Sequence, residues 1–178
     1  LAFANVVRRG VIGVVAASGT GLQQVTCLID RWDCGISQAI GTGGHDLHRD
    51  VGGMSMLQGL TALAADPSTS VIVLISKPPS PEVASKVLRV ASGAGKPVVV
   101  NFLGADPDRV RRENIYPAAT LEDAAATAVA LGNGPWWSAI SAGRSAAAPA
   151  TWLFLGGTFV ALAALHFVLF ALVSNRWT

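Results

Sequence analysis

Charge is what this chain most conspicuously lacks. Asp, Glu, Lys and Arg make up 13% of its 178 residues, about half the usual quarter. The shortfall has a location: from Gly132 to Thr178 the only charged side chains are Arg144 and Arg176. A net charge of +2, with no basic cluster beyond Arg109, Arg111 and Arg112, excludes an electrostatic case for nucleic acid. That trio reads as a solvated helix face. Cysteine is nearly absent too. Cys27 and Cys34 lie too far apart for a C-x-x-C metal or redox motif, so both are expected as buried reduced thiols. No secretory signal opens the chain, which places its front part in the cytoplasm. It begins at Leu1 and not at a methionine, as expected of a processed product or a piece of a longer protein.

Several motifs are missing as well. There is no complete G-x-G-x-x-G fingerprint with an acid after the second strand, which excludes a Rossmann dehydrogenase. The turn Ala16-Ala17-Ser18-Gly19 is not a G-x-S-x-G elbow, which excludes a serine hydrolase of that kind. Acids do not cluster at strand ends as in a response regulator, because Asp46 and Asp50 sit in a glycine loop.

What is present is an alternation of short β-branched runs with helical patterns, the signature of an open parallel sheet covered on both faces. The pattern predicts strands at Gly10–Ala16, Ile36–Gly41, Ser70–Ser76, Pro97–Leu103 and, more weakly, Ile115–Ala118. Helices are expected at Thr20–Trp32, Ser55–Ala65, Pro81–Ser92, Asp106–Glu113 and Leu121–Leu131. Ser80 before Pro81, and Thr120 before Leu121-Glu122-Asp123, supply capping chemistry. The fold class is therefore α/β.

Residues 134–149, "GPWWSAISAGRSAAAP", lose periodicity and read as a linker, with Trp136 and Trp137 suited to a membrane surface. Residues 150–174 read as one transmembrane helix. The run from Thr151 to Val173 holds about 23 uncharged residues, enough to cross roughly 30 Å of hydrocarbon. Residues 175–178 form a short tail. Arg144 and Arg176 flank the span one on each side, so the cytoplasmic front domain sets the orientation. The expected location is a bacterial inner or intracytoplasmic membrane.

Two glycine-rich turns carry the chemistry of the front domain. Ser18-Gly19-Thr20-Gly21 links the first strand to a helix whose unpaired N–H groups and dipole favour a phosphate or carboxylate. "GTGGHD", Gly41 to Asp46, follows the second strand. Together they predict one anion-binding crevice formed by Ser18, Gly19, Thr20, Gly41, Gly43 and Gly44.

"LAFANVVRRG", "IGVVAASGTGLQQVTCLIDR", "GISQAIGTGGHDL", "VIVLISKPPSPEVASKVL" and "GKPVVVNFLG" together resemble the FdrA proteins, relatives of the succinyl-CoA synthetase alpha subunit. The resemblance covers residues 1–133 and implies a flavodoxin-like domain, the second of that superfamily, normally preceded by a CoA-binding Rossmann domain and completed by an ATP-grasp partner. It implies that the Ser18-Gly19-Thr20 turn cradles a phosphoryl or CoA-type anion beside the loop of Gly41, Gly43 and Gly44. The family's phosphohistidine segment is replaced by "NFLGADPDRVRREN". His45 and His48 lie elsewhere and are expected to be exposed loop residues, and no catalytic residue is assigned. FdrA proteins are linked to acyl-CoA synthetase-like chemistry and to carbamoyl transfer, so the implied role is a membrane-anchored domain that does not turn over alone and works with ATP-grasp or other membrane subunits.

His166 stands in the middle of the apolar run, where an imidazole needs a partner or a metal. "PATWL", "ALAALHF" and Trp177 resemble the alpha polypeptides of purple-bacterial light-harvesting rings. That resemblance implies a second reading, in which His166 ligates bacteriochlorophyll and Trp177 donates a hydrogen bond to it.

Overall fold

The computed structural model describes residues 5–133. The linker, the transmembrane span and the tail expected from the sequence lie outside the described residues, as do His166 and Trp177. Among the described residues no helix is long and apolar enough to cross a membrane.

Five strands, β1 (Arg9–Ala16), β2 (Ile36–Gly41), β3 (Val71–Ser76), β4 (Val98–Phe102) and β5 (Ile115–Pro117), alternate with α1 (Gly19–Arg31), α2 (Met54–Ala65), α3 (Pro81–Ser92), α4 (Pro107–Val110) and α5 (Leu121–Asn133). All strand pairs are parallel, in the order β2-β1-β3-β4-β5. This is the flavodoxin-like order, and it reverses between β1 and β3. Both faces are covered: α2 and α3 pack on one through Met56, Leu60, Val83 and Val87, meeting Val15, Ile72, Leu74 and Val100. On the other, α1 and α5 bring Val25, Ile29, Ala124, Ala128 and Val129 against Val14, Val73, Ile75 and Val99. Neighbouring strand residues thus point to opposite cores, so every residue of β3, VIVLIS, is buried. A strand buried on both faces loses the polar alternation and becomes a continuous apolar run.

Two expectations need correction. The helix predicted over Asp106–Glu113 is a single turn, Pro107–Val110, because Arg111 is already extended and Asn114 takes φ 61° to swing the chain into β5. Arg109, Arg111 and Arg112 are exposed but do not share a helix face; the Arg112 guanidinium donates to the carbonyls of Arg109 and Arg111 at 2.9 and 2.7 Å. Of the two thiols expected in the core, Cys34 is buried while Cys27 lies on the outer face of α1.

At the lower edge, β1 and β2 meet through a backbone crossing at Gly10 and Gly35. A Cβ on Gly10 would fall well inside 3.0 Å of the Gly35 backbone, which cannot yield as a side chain can. Gly10→Ala should therefore lower stability by roughly 2 to 3 kcal/mol in urea denaturation, the scale of an overpacked core. Gly93→Ala, at a φ of −88° with no neighbour nearer than 3.7 Å, should leave the midpoint almost unchanged.

Candidate functional site

In an open parallel sheet the ligand crevice lies beyond the carboxyl ends of the strands, at the point where strand order reverses. Here that point is the end of β1. The Ala16 carbonyl accepts from Thr42 N–H at 2.9 Å on the β2 side, and Ala17 N–H donates to the Ile75 carbonyl at 2.9 Å on the β3 side. Ala16 stands opposite Gly41 in the sheet. The two glycine-rich turns picked out in the sequence are therefore side by side.

Ser18 is the N-cap of α1, extended at φ −120° and ψ 111°. Its Oγ accepts from Gly21 N–H at 3.1 Å and its carbonyl takes the Leu22 N–H at 2.9 Å. The first turn of a helix begins with orphan donors; this arrangement answers that of Gly21 and directs those of Gly19 and Thr20 to the half-exposed crevice. The Thr20 hydroxyl lies 3.4 Å from Ser18 Oγ and adds a polar group to the same rim.

The loop after β2 behaves differently. Gly43 holds φ 87°, and a Cβ placed on it would meet nothing within 4 Å, so its requirement is for backbone conformation and not for space. A Cβ on Gly44 would come 3.7 Å from the Ala17 carbonyl, so this loop lies beside the residue that follows β1. Buried Asp46 then turns inward: its carboxylate accepts Ser55 N–H at 2.9 Å and Met56 N–H at 2.8 Å, and its carbonyl accepts Gly53 N–H at 2.8 Å. The start of α2 is thus sealed by the chain's own anion. Gly41, Gly43 and Gly44 contribute loop backbone to the crevice and no helix dipole, which narrows the expected two-turn site to one helix terminus and its neighbouring loop.

The other helix starts carry acids as well. Glu82 lies in the first turn of α3, where its own N–H and Arg49, 2.6 Å away, hold its carboxyl below the usual range. Asp106 caps α4, with Asp108 beside it. Thr120 and Asp123 exchange hydrogen bonds of 3.0 and 3.1 Å in a capping box on α5, next to Glu122. Among the five described helices, only α1 begins without a carboxylate. A negative ligand is repelled from four termini and invited to one.

Sequence reasoning missed Asp46 as the cap of α2, because the acid precedes its helix by eight residues and no capping motif has that spacing. It also missed buried Asn101 in β4, which donates to the Ala118 carbonyl at 2.9 Å. His45 and His48 are exposed, as expected. Among the described residues, three buried side-chain polar atoms have no hydrogen-bond partner: Thr42 Oγ1, Ser80 Oγ and Asn101 Oδ1. Each lies at or just beyond the carboxyl end of a strand, on the side where ligands enter. An open pocket of about 530 Å³ lies nearby, between Leu47–Asp50 and Pro78–Ser80.

Strand order and a doubly covered sheet define a flavodoxin-like α/β domain, with one described helix terminus that carries no carboxylate. The sequence model of the CoA binding domain matches residues 8–104, and the chain belongs to that family. This reassigns the segment: the resemblance put the CoA-binding domain ahead of these residues, and the match falls on them. The chain is 48% identical over 131 residues to the uncharacterized protein YahF of Escherichia coli (strain K12), and spans about a quarter of its length: the aligned part is 74% of this chain and 25% of that protein. The fold is similar to PH0766 from Pyrococcus horikoshii OT3, with a TM-score of 0.54 at 15% identity over 70% of this chain and 35% of that one. It is also similar to the dinucleotide forming acetyl-coenzyme A synthetase 1 of Ca. Korarchaeum cryptofilum, solved with phosphate and ADP, with a TM-score of 0.53 at 19% identity over 74% of this chain and 32% of that one. At these identities the likeness concerns the fold.

Removing the Asp46 carboxylate orphans two N–H donors at a buried helix start. Asp46→Ala should cost about 2 kcal/mol of stability, the upper end for a lost cap, while Asp46→Asn, which keeps one acceptor, should cost less. Chemical denaturation of the two variants checks the order.

Proposed function

We propose that this domain binds CoA or a related phosphate-bearing ligand at the start of α1, as one part of a larger FdrA-like, CoA-ligase-related protein. The observation that carries the reading is the terminus of α1, uncapped by any acid and set at the switch point of a chain that belongs to the CoA binding domain family. The residues present fit such a ligand. Gly19 and Thr20 N–H would face a phosphate there, the loop of Gly41, Gly43 and Gly44 leaves room for it, and the Thr42 hydroxyl, buried without a partner, stands in the same loop.

Bound CoA brings a thiol able to carry an acyl group; the chain's own part is to grip and orient the phosphates. The turn after β4, Leu103-Gly104-Ala105-Asp106, brings one acid and no histidine, so phosphoryl relay at that position falls to another chain or domain. ATP-grasp subunits are the partners this implies, with residues 150–174 as the membrane tether. The pigment reading of His166 and Trp177 finds no support in the family or in the structural relatives and is not carried forward.

Gly19→Pro tests the site with little damage to the fold. Proline is at home in the first helical position, and the extended Ser18 suits the residue before it, yet the substitution deletes one donor. CoA binding by calorimetry should weaken about tenfold or more, the loss of one charge-assisted hydrogen bond, and Thr20→Glu should weaken it further. Absence of CoA, ADP and phosphate binding by the unaltered chain at millimolar concentration would overturn the reading.

A further inference from the structure

The loop between β2 and α2 holds a second cluster that the anion site does not use. His48 N–H donates to the His45 carbonyl at 3.1 Å, a tight turn that sets residues three apart on the same side. The two imidazoles lie with ring centroids 4.1 Å apart. Asp50 joins them, its Oδ2 3.1 Å from His45 Nε2, and one ligand atom from each of the three residues lies within 4.8 Å of the others. All three side chains are exposed.

We infer that His45, His48 and Asp50 form a binding site for a divalent transition-metal ion of the zinc class. Nitrogen and carboxylate ligands at 2.0–2.2 Å in a tetrahedron stand about 3.3 Å from one another. The His45–Asp50 pair already has that spacing, and exposed imidazoles reach the rest by side-chain rotation alone. The loop carrying them is anchored: Asp46 is locked into α2, and Gly52 N–H donates to the His48 carbonyl at 2.8 Å. Arg49, which lies between two of these residues in the chain, is drawn away to Glu82 at 2.6 Å. His48 and Asp50 also line the 530 Å³ pocket, together with Leu47, Pro78, Pro79 and Ser80. An ion held by three protein ligands keeps a fourth position for water or a small anionic ligand. Two imidazoles and one carboxylate select Zn²⁺, Co²⁺ or Ni²⁺ over Mg²⁺ and Ca²⁺, which prefer oxygen.

Titration of the full chain, without a polyhistidine tag or CoA, with Co²⁺ near neutral pH tests the site. One equivalent should bind with visible ligand-field bands, be displaced by Zn²⁺ and resist excess Mg²⁺. His45→Ala and His48→Ala should each weaken binding at least about tenfold, and Asp50→Asn by a comparable factor. Zn²⁺ should also raise the urea midpoint of the unaltered chain and not that of the variants, a readout that holds even if a variant is itself less stable. No bands at millimolar Co²⁺, unchanged binding in the double His45→Ala/His48→Ala variant, or thiolate-to-cobalt absorption pointing to Cys27 would overturn the proposal. Because CoA is absent, failure of the anion site would leave this result untouched.

Discussion

The end of β1 is pinned on both sides, and the upper edge of the domain depends on it. The Thr42 N–H bond to the Ala16 carbonyl ties it to β2, and the Ala17 N–H bond to the Ile75 carbonyl ties it to β3. With its last two residues committed in opposite directions, the chain can leave only upward, and Ser18 begins α1 directly above the place where strand order reverses. Parallel strands all discharge at one edge, so every βα turn gathers there. The β1 turn is central because β1 lies between β2 and β3.

Charge then distinguishes the turns. A carboxylate near a helix start satisfies backbone donors and uses up the favourable end of the dipole. Asp46 does this for α2 from eight residues away, Asp106 does it for α4, Asp123 for α5, and Glu82 flanks α3. Only Ser18, a neutral cap, is spent on α1, and it engages one donor. Four of the described helix starts thus carry the domain's own acids, and the fifth carries none. This division gives the crevice its polarity without a basic residue at the α1 turn, consistent with the low charge of the chain.

The loop from Thr42 to Gly53 serves two masters. Gly43 and Gly44 lie exposed beside the β1 turn, while Asp46 anchors the loop from beneath and His45, His48 and Asp50 stay on the outside. Burying one acid is what exposes the others: a backbone folded around Asp46 sends the side chains one before and two after it outward together. A single internal cap therefore shapes both the crevice rim and the histidine cluster.

All five described strands and four of the five described helices could be located from the sequence to within a residue or two, because burial on both faces writes long β-branched runs and each helix carries a single apolar stripe. Alternation of the two dictated an α/β sheet, and the Ser-Gly-Thr-Gly turn marked the start and N-cap of α1 from local chemistry alone. The short α4 escaped because nothing in "DPDRVRRE" announces that Asn114 must reverse the chain. Asp46 escaped because its bonds to Ser55 and Met56 span nine and ten residues, beyond any local capping pattern. Local propensity and periodicity act over a few residues and can be read along the chain. Which acid closes which helix, and which side chains meet above the sheet, depends on contacts that exist only after the strands have been ordered in space.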